Sequence, residues 1–229
     1  MMRQLLLSLA PPPAPTLGNF YCGPNAAALA AIDQALSGGE RFVCLWGDAG
    51  SGKTHLLRAF VLEARSRGLV SRYIPAPHVG LAAAHAEEAL AVDDVEALDE
   101  EGQLALFDLY NAVRSDRGRL LAAASRPPAE LSLREDLRSR LGSGIVLRVL
   151  ALEDAEKSAA LNRYAAQRGL KLAPEIASYL LTHCSRDMGT QVAVLDALDR
   201  YSLEHKRPIT LPLMREALQS LDLLGRRLG

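Results

Sequence analysis

Gly47-Asp48-Ala49-Gly50-Ser51-Gly52-Lys53-Thr54, GDAGSGKT, fits G-x-x-x-x-G-K-[ST] at every fixed position. It stands between an apolar, β-rich run, RFVCLWG (41–47), and an amphipathic one, KTHLLRAFVLEARSRG (53–68). Strand, glycine loop and helix is the order a phosphate-binding loop requires. Glycines let backbone N–H groups converge on phosphate oxygens, and the helix N-terminus adds positive potential. Lys53 is placed to reach the β and γ phosphates, and Thr54 offers a hydroxyl to Mg²⁺.

Working outward, strands are predicted in LVSRYIPA (69–76), LAVDDVEAL (90–98, turning at Asp93 and Asp94), RLLAAAS (119–125) and IVLRVLAL (145–152). Helices are predicted in AAALAAIDQAL (26–36), capped by Asn25 and stopped by Gly38 and Gly39, in EGQLALFDLYNAVRSDRG (101–118) and in LREDLRSRL (133–141). In the helix after the loop, Leu56, Leu57, Phe60 and Leu62 are expected to face the core. Alternating strands and helices predict an α/β domain, a five-stranded parallel sheet flanked by helices. From Glu153 onward the pattern is helical throughout. The expected organisation is an N-terminal peptide with a Pro-rich linker (1–18), a nucleotide-binding α/β domain (19–152) and a small helical lid domain (153–229).

Asp93 and Asp94 fall forty residues after Lys53 at a strand end. There Asp93 is placed to hold the magnesium ion, and Asp94 to orient or polarise an attacking water. Ser125, at the end of the fourth strand, either addresses the γ-phosphate or caps the turn into RPPAEL. Arg186 opens a helix, where a cation opposes the macrodipole unless an anion such as a nucleotide phosphate lies nearby. Arg134, Arg138 and Arg140 share one short helix, and the residues alone do not choose among them.

The composition is that of an ordinary globular protein: 49% hydrophobic, 23% charged and a formal net charge of -1, with no basic excess for gripping DNA through its phosphates. Cys22, Cys44 and Cys184 are scattered, which suits reduced thiols, and His183 beside Cys184 is too few ligands for a metal centre. The opening RQLLLSLAPPP (3–13) is too short for an export signal and is broken by prolines. With no 18-residue apolar run, no membrane span is expected and the cytoplasm is the expected location.

GDAGSGKTHLLRA (47–59), AVDDVEAL (91–98), ASRPPAELSLREDLRSRLGSG (124–144) and SRDMGTQVAVLDALDR (185–200), in this order and spacing, resemble the DnaA/Hda family of AAA+ ATPases over about residues 19–221. The initiator of that family carries a C-terminal helix-turn-helix DNA reader. The sequence to Gly229 holds none, and the short segment after the second strand (PAPHVGLAAAHAEEAL, 75–90) also points to the Hda branch.

The resemblance implies several roles. Arg140 would be an arginine finger acting on a partner's nucleotide, and Arg186 the sensor II arginine. Tyr21 and Cys22 would pack near the adenine, with His55 beside the loop. ADP or ATP with Mg²⁺ is the implied ligand. Gln4, Leu5, Leu7 and Leu9 match the family peptide Q-L-x-L-P-L that docks on the β sliding clamp of DNA polymerase III, Ser8 replacing the proline. The implied activity is negative regulation of replication initiation: docked on the DNA-loaded clamp, the protein stimulates hydrolysis of ATP on DnaA, meeting DNA only through the clamp. A homo-oligomer is compatible with it. The alternative is a self-contained AAA+ ATPase, such as a helicase loader or an initiator fragment. A small-molecule kinase fits poorly, because the region after Glu153 resembles a lid.

Overall fold

The computed structural model describes residues 14–77, 89–115, 118–170, 172–183, 188–205 and 209–214. The chain divides into two compact units, meeting in sequence at Ala151 and Leu152.

The first unit begins with α1 (Ala26–Ser37). β1 (Phe42–Trp46), α2 (Lys53–Ser66), β2 (Ser71–Pro75) and β3 (Ala89–Asp93) follow. A 3-10 turn at Val95–Ala97, α3 (Glu100–Ser115), β4 (Arg119–Ala124), a second 3-10 turn at Pro128–Glu130, α4 (Glu135–Leu141) and β5 (Ile145–Arg148) complete it. The five strands pair in parallel in the order β2-β3-β4-β1-β5. β1 is therefore an inner strand, between β4 and β5, and the loop after it opens at the carboxyl edge of the sheet, where parallel α/β sheets bind ligands.

β1 shows why the sheet carries helices on both faces. Successive side chains point to opposite sides of a strand. Phe42 and Cys44 join a core with Leu106, Leu109, Tyr110 and Leu137 from α3 and α4, whereas Val43 and Leu45 join Ile32, Leu56, Leu57 and Phe60 from α1 and α2. Strands buried on both faces read as continuous apolar runs. In α2 the expected core stripe is corrected at one position: Leu62 is 36% exposed, and Val61 and Ala64 are buried instead. In a 3.6-residue period a stripe through Leu57 and Phe60 continues to Val61 and Ala64 and leaves Leu62 outside.

A second correction concerns Asn25. It precedes α1 but makes no side-chain cap. Its amide instead donates to the Leu150 carbonyl (3.0 Å) and its Oδ1 accepts from the Leu150 N–H (2.8 Å), copying a strand-like pair across 125 residues of chain. Gly38, at φ 94, ends the helix as expected, and the Gly39 N–H closes on the Gln34 carbonyl at 2.8 Å.

The second unit holds α5 (Asp154–Gln167), α6 (Pro174–His183) and α7 (Met188–His205). A capping box between Glu153 and Glu156 opens α5. Leu161, Ile176, Leu180, Val194, Leu198 and Met214 form its core. Among the described residues no helix is long and apolar enough to cross a membrane.

Candidate functional site

The loop continues straight out of β1. The Gly47 N–H extends the ladder to the Ala124 carbonyl at 3.2 Å. A Cβ at Gly47 would run into the Val149 carbonyl oxygen. Gly52 has φ 103, which a side chain rarely adopts, and a Cβ there would stand 2.8 Å from Cε2 of Phe20. These glycines form a cradle that any other residue would fill. Inside it the Ser51 hydroxyl is buried, and its oxygen finds no hydrogen-bond partner among the described residues. Lys53, 8% exposed, folds back so that Nζ donates to the carbonyls of Gly47 (2.6 Å) and Asp48 (3.0 Å). The loop thus holds a buried cation, a spare hydroxyl and close-packed backbone, which is the donor set a polyphosphate takes. Asp48, Ala49, Gly50 and Thr54 are exposed along the same turn.

Asp93 ends β3 and is 1% exposed. Its Oδ2 accepts the Tyr73 hydroxyl at 2.8 Å, and its Oδ1 accepts the Asp94 N–H at 3.2 Å. Burial, and then the Asp93 carboxylate, pushes the Tyr73 hydroxyl up to about 12, so it remains a donor. Asp94 is the one described non-glycine residue with positive φ (52°). Burial first, then Asp93 and Glu96, raises its carboxyl above the usual range, while Lys53 opposes the shift, so the two acids and the lysine share one field. The Thr54 hydroxyl and the Asp93 carboxylate are hard oxygen donors of the kind Mg²⁺ takes.

Ser125 is exposed, and its N–H donates to Oε1 of Glu96 at 2.9 Å, joining the turns that follow β3 and β4. The same Glu96, after burial, helps push the Cys44 thiol up to about 12. Tyr21 and Cys22 are half-buried in the segment leading to α1. The residue of that segment set against the loop is Phe20, whose ring packs over Gly52 and lies 5.5 Å from the His55 ring. His55 Nε2–H donates to the Thr16 carbonyl at 3.0 Å. Phe20, Tyr73 and Glu96 carried no sequence signal, because each acts through a residue distant in sequence or through backbone.

Arg140 lies apart from this cluster. It stands in the last turn of α4, shortly before β5 begins at Ile145 opposite Val43, near the amino ends of the strands. Its guanidinium lies 5.7 Å from the Phe107 ring centroid and 5.9 Å from that of Tyr110, and among the described residues it pairs with no carboxylate. Arg134 does, meeting Asp136 at 2.9 Å. Arg186 and the peptide residues Gln4, Leu5, Leu7 and Leu9 lie outside the described residues.

Residues 154–218 match the family model described as Hda, lid domain. Over 229 aligned residues the chain is 35% identical to an uncharacterized protein of Haemophilus influenzae, covering 95% of this chain and 99% of that one. The chain belongs to the DnaA/Hda family. Its fold is that of the family's AAA+ domain. AMPPCP-bound DnaA from Aquifex aeolicus superposes with a TM-score of 0.68 at 24% identity, over 85% of this chain and 70% of that one. Domain III of DnaA from Thermotoga maritima gives 0.71 at 20% identity, over 93% and 98%. The Hda lid model matches the C-terminal part of the chain, and the likeness to DnaA gives the fold.

Proposed function

We propose that this chain is a nucleotide-binding regulator of the initiator DnaA, supplying Arg140 in trans to ATP held by DnaA. The observation that carries the reading is the Hda lid match over 154–218 behind a complete phosphate loop. The position of Arg140 supports it: the guanidinium is remote from the chain's own Lys53 and Asp93 and has no carboxylate partner among the described residues. An arginine supplied in trans raises phosphoryl-transfer rates by about 10³ to 10⁵ in GTPases, enough to make a slow clock a switch.

The chain's own site would hold ADP or ATP, a reading supported by the AMPPCP bound to the Aquifex DnaA. Gly47 to Thr54 would cradle the phosphates, with Lys53 as the buried cation and Ser51 as a spare donor. Phe20, Tyr21, Cys22 and His55 would line the base side, while Ser125 and Arg186 would face the phosphates. Thr54 and Asp93 would hold Mg²⁺, which when bound neutralises phosphate charge. Residues 1–18 would reach the β clamp through Gln4, Leu5, Leu7 and Leu9, with 19–152 as the nucleotide domain and 153–229 as the lid.

A second reading, a self-contained ATPase, draws on Asp94, whose carboxyl shares the Lys53 field and could orient a water. One assay separates them: release of phosphate from ATP pre-bound to DnaA, with clamp-loaded DNA and this protein. The regulator requires stimulation that is lost in Arg140→Ala together with a low intrinsic rate. Rapid DnaA-independent hydrolysis lost in Lys53→Ala establishes the motor, and equal activity of wild type and Arg140→Ala toward DnaA refutes the finger.

A further inference from the structure

Both oxygens of the buried Asp93 carboxylate are engaged, by partners of different origin. The Asp94 N–H, 3.2 Å from Oδ1, comes with the turn that ends β3. The Tyr73 hydroxyl, 2.8 Å from Oδ2, comes from the neighbouring strand β2. Tyr73 pairs with Ala91 in the β2-β3 register, and Pro75 pairs with Asp93. Residues two apart share a face of a strand. The tyrosine ring therefore spans diagonally from one pair to the next, a distance an aromatic side chain covers. The Arg58 guanidinium lies over the ring, 4.9 Å from its centroid, and also engages the Tyr73 hydroxyl, whose rise it opposes. Arg58 belongs to α2, the helix that starts at Lys53. A line of contacts thus runs from the helix behind the phosphate loop, through an aromatic ring, to the acid at the end of β3.

We propose that Tyr73 is a positioning residue whose hydroxyl holds the Asp93 carboxylate in one orientation, preset for the magnesium ion of a bound nucleotide. This rests on the reading of Asp93 as the magnesium-side carboxylate. A ligand carboxylate that is itself hydrogen-bonded keeps its orientation when the metal arrives. Loss of such an outer partner typically weakens metal affinity by about 10- to 100-fold. Tyr73 supplies that partner, and Arg58, lying over the ring and engaging the same hydroxyl, helps hold it in place.

Tyr73→Phe tests this cleanly, because it keeps the ring and its stacking and removes one oxygen. The readout is the affinity of the full chain for a fluorescent ADP analogue, first in EDTA and then as Mg²⁺ is titrated. The expected result is wild-type affinity in EDTA and an apparent Mg²⁺ affinity lowered at least about tenfold, toward that of Asp93→Asn. An unchanged Mg²⁺ dependence in Tyr73→Phe, with the dependence lost in Asp93→Asn, overturns the proposal and leaves the role of Asp93 standing. Equal losses in EDTA and in Mg²⁺ also overturn it, since they mark a general effect on the pocket. A wild-type protein whose ADP affinity ignores Mg²⁺ overturns both.

Discussion

Replacing Asn25 with alanine should loosen the wall of the proposed nucleotide pocket without touching the glycine loop at 47–54. Asn25 is 3% exposed, and its side chain makes two bonds to the backbone of Leu150, at 2.8 and 3.0 Å. Each such bond contributes about 1 kcal/mol net, and a stranded partner adds a further desolvation cost. Because the Leu150 side of the pair is only partly buried, the total loss should be about 2–3 kcal/mol. For a unit of this size that lowers the melting temperature by about 8–12 °C. Trp46, the single tryptophan, sits in β1 of the same unit and reports its unfolding by fluorescence. Urea curves should shift to lower midpoint with an unchanged slope. Nucleotide affinity should fall with them, because the segment carrying Phe20, Tyr21 and Cys22 is tied to the end of β5 through this residue. Asn25→Asp keeps an acceptor for the Leu150 N–H but sets a second acceptor against the Leu150 carbonyl, so it should be no more stable than Asn25→Ala. An unfolding free energy within about 0.5 kcal/mol of wild type for Asn25→Ala would refute the reasoning.

Two other outcomes follow from the same geometry and sequence. Asp94 has a carboxyl raised by burial, Asp93 and Glu96, so ionisation costs the folded state more than the unfolded one. The penalty is present above the folded pKa and vanishes as pH falls through it. Asp94→Asn should therefore match or exceed wild-type stability at pH 7, helped by asparagine's tolerance of positive φ, and the advantage should close toward about pH 4 in melts across that range. Removal of residues 1–9 should abolish binding to the β clamp in a pull-down or biosensor assay while leaving ADP affinity intact, and retained clamp binding would exclude Gln4, Leu5, Leu7 and Leu9 as the docking peptide.

The phosphate loop and the strand-helix alternation were legible because their signals are local: a fixed spacing of glycines, and apolar runs of strand length. Even so, the periodicity that marked the buried face of α2 misplaced Leu62, because Val61 and Leu62 are both apolar and only about 100° of helix rotation separates the buried one from the exposed one. What escaped were pairings between distant segments. Asn25 reads as a helix cap by type, yet its partner is 125 residues away. Tyr73 reads as a strand residue, and only the β2-β3 register brings it to Asp93. Phe20 became visible at the loop only where Gly52 leaves room for its ring. For Arg140, residue chemistry alone left three equal arginines, and the fold distinguishes it from Arg134, which is already paired with Asp136.

The burial of Cys44 in β1, an inner strand of the sheet, has a practical consequence. Burial pushes its thiol up to about 12, so the reactive thiolate is scarce at neutral pH, and the residue is 2% exposed. An alkylating reagent therefore reaches it only when β1 leaves the sheet. The rate of Cys44 modification is a clock for the opening of the strand that carries the phosphate loop. Any ligand that grips that loop should slow the clock in proportion to its own affinity.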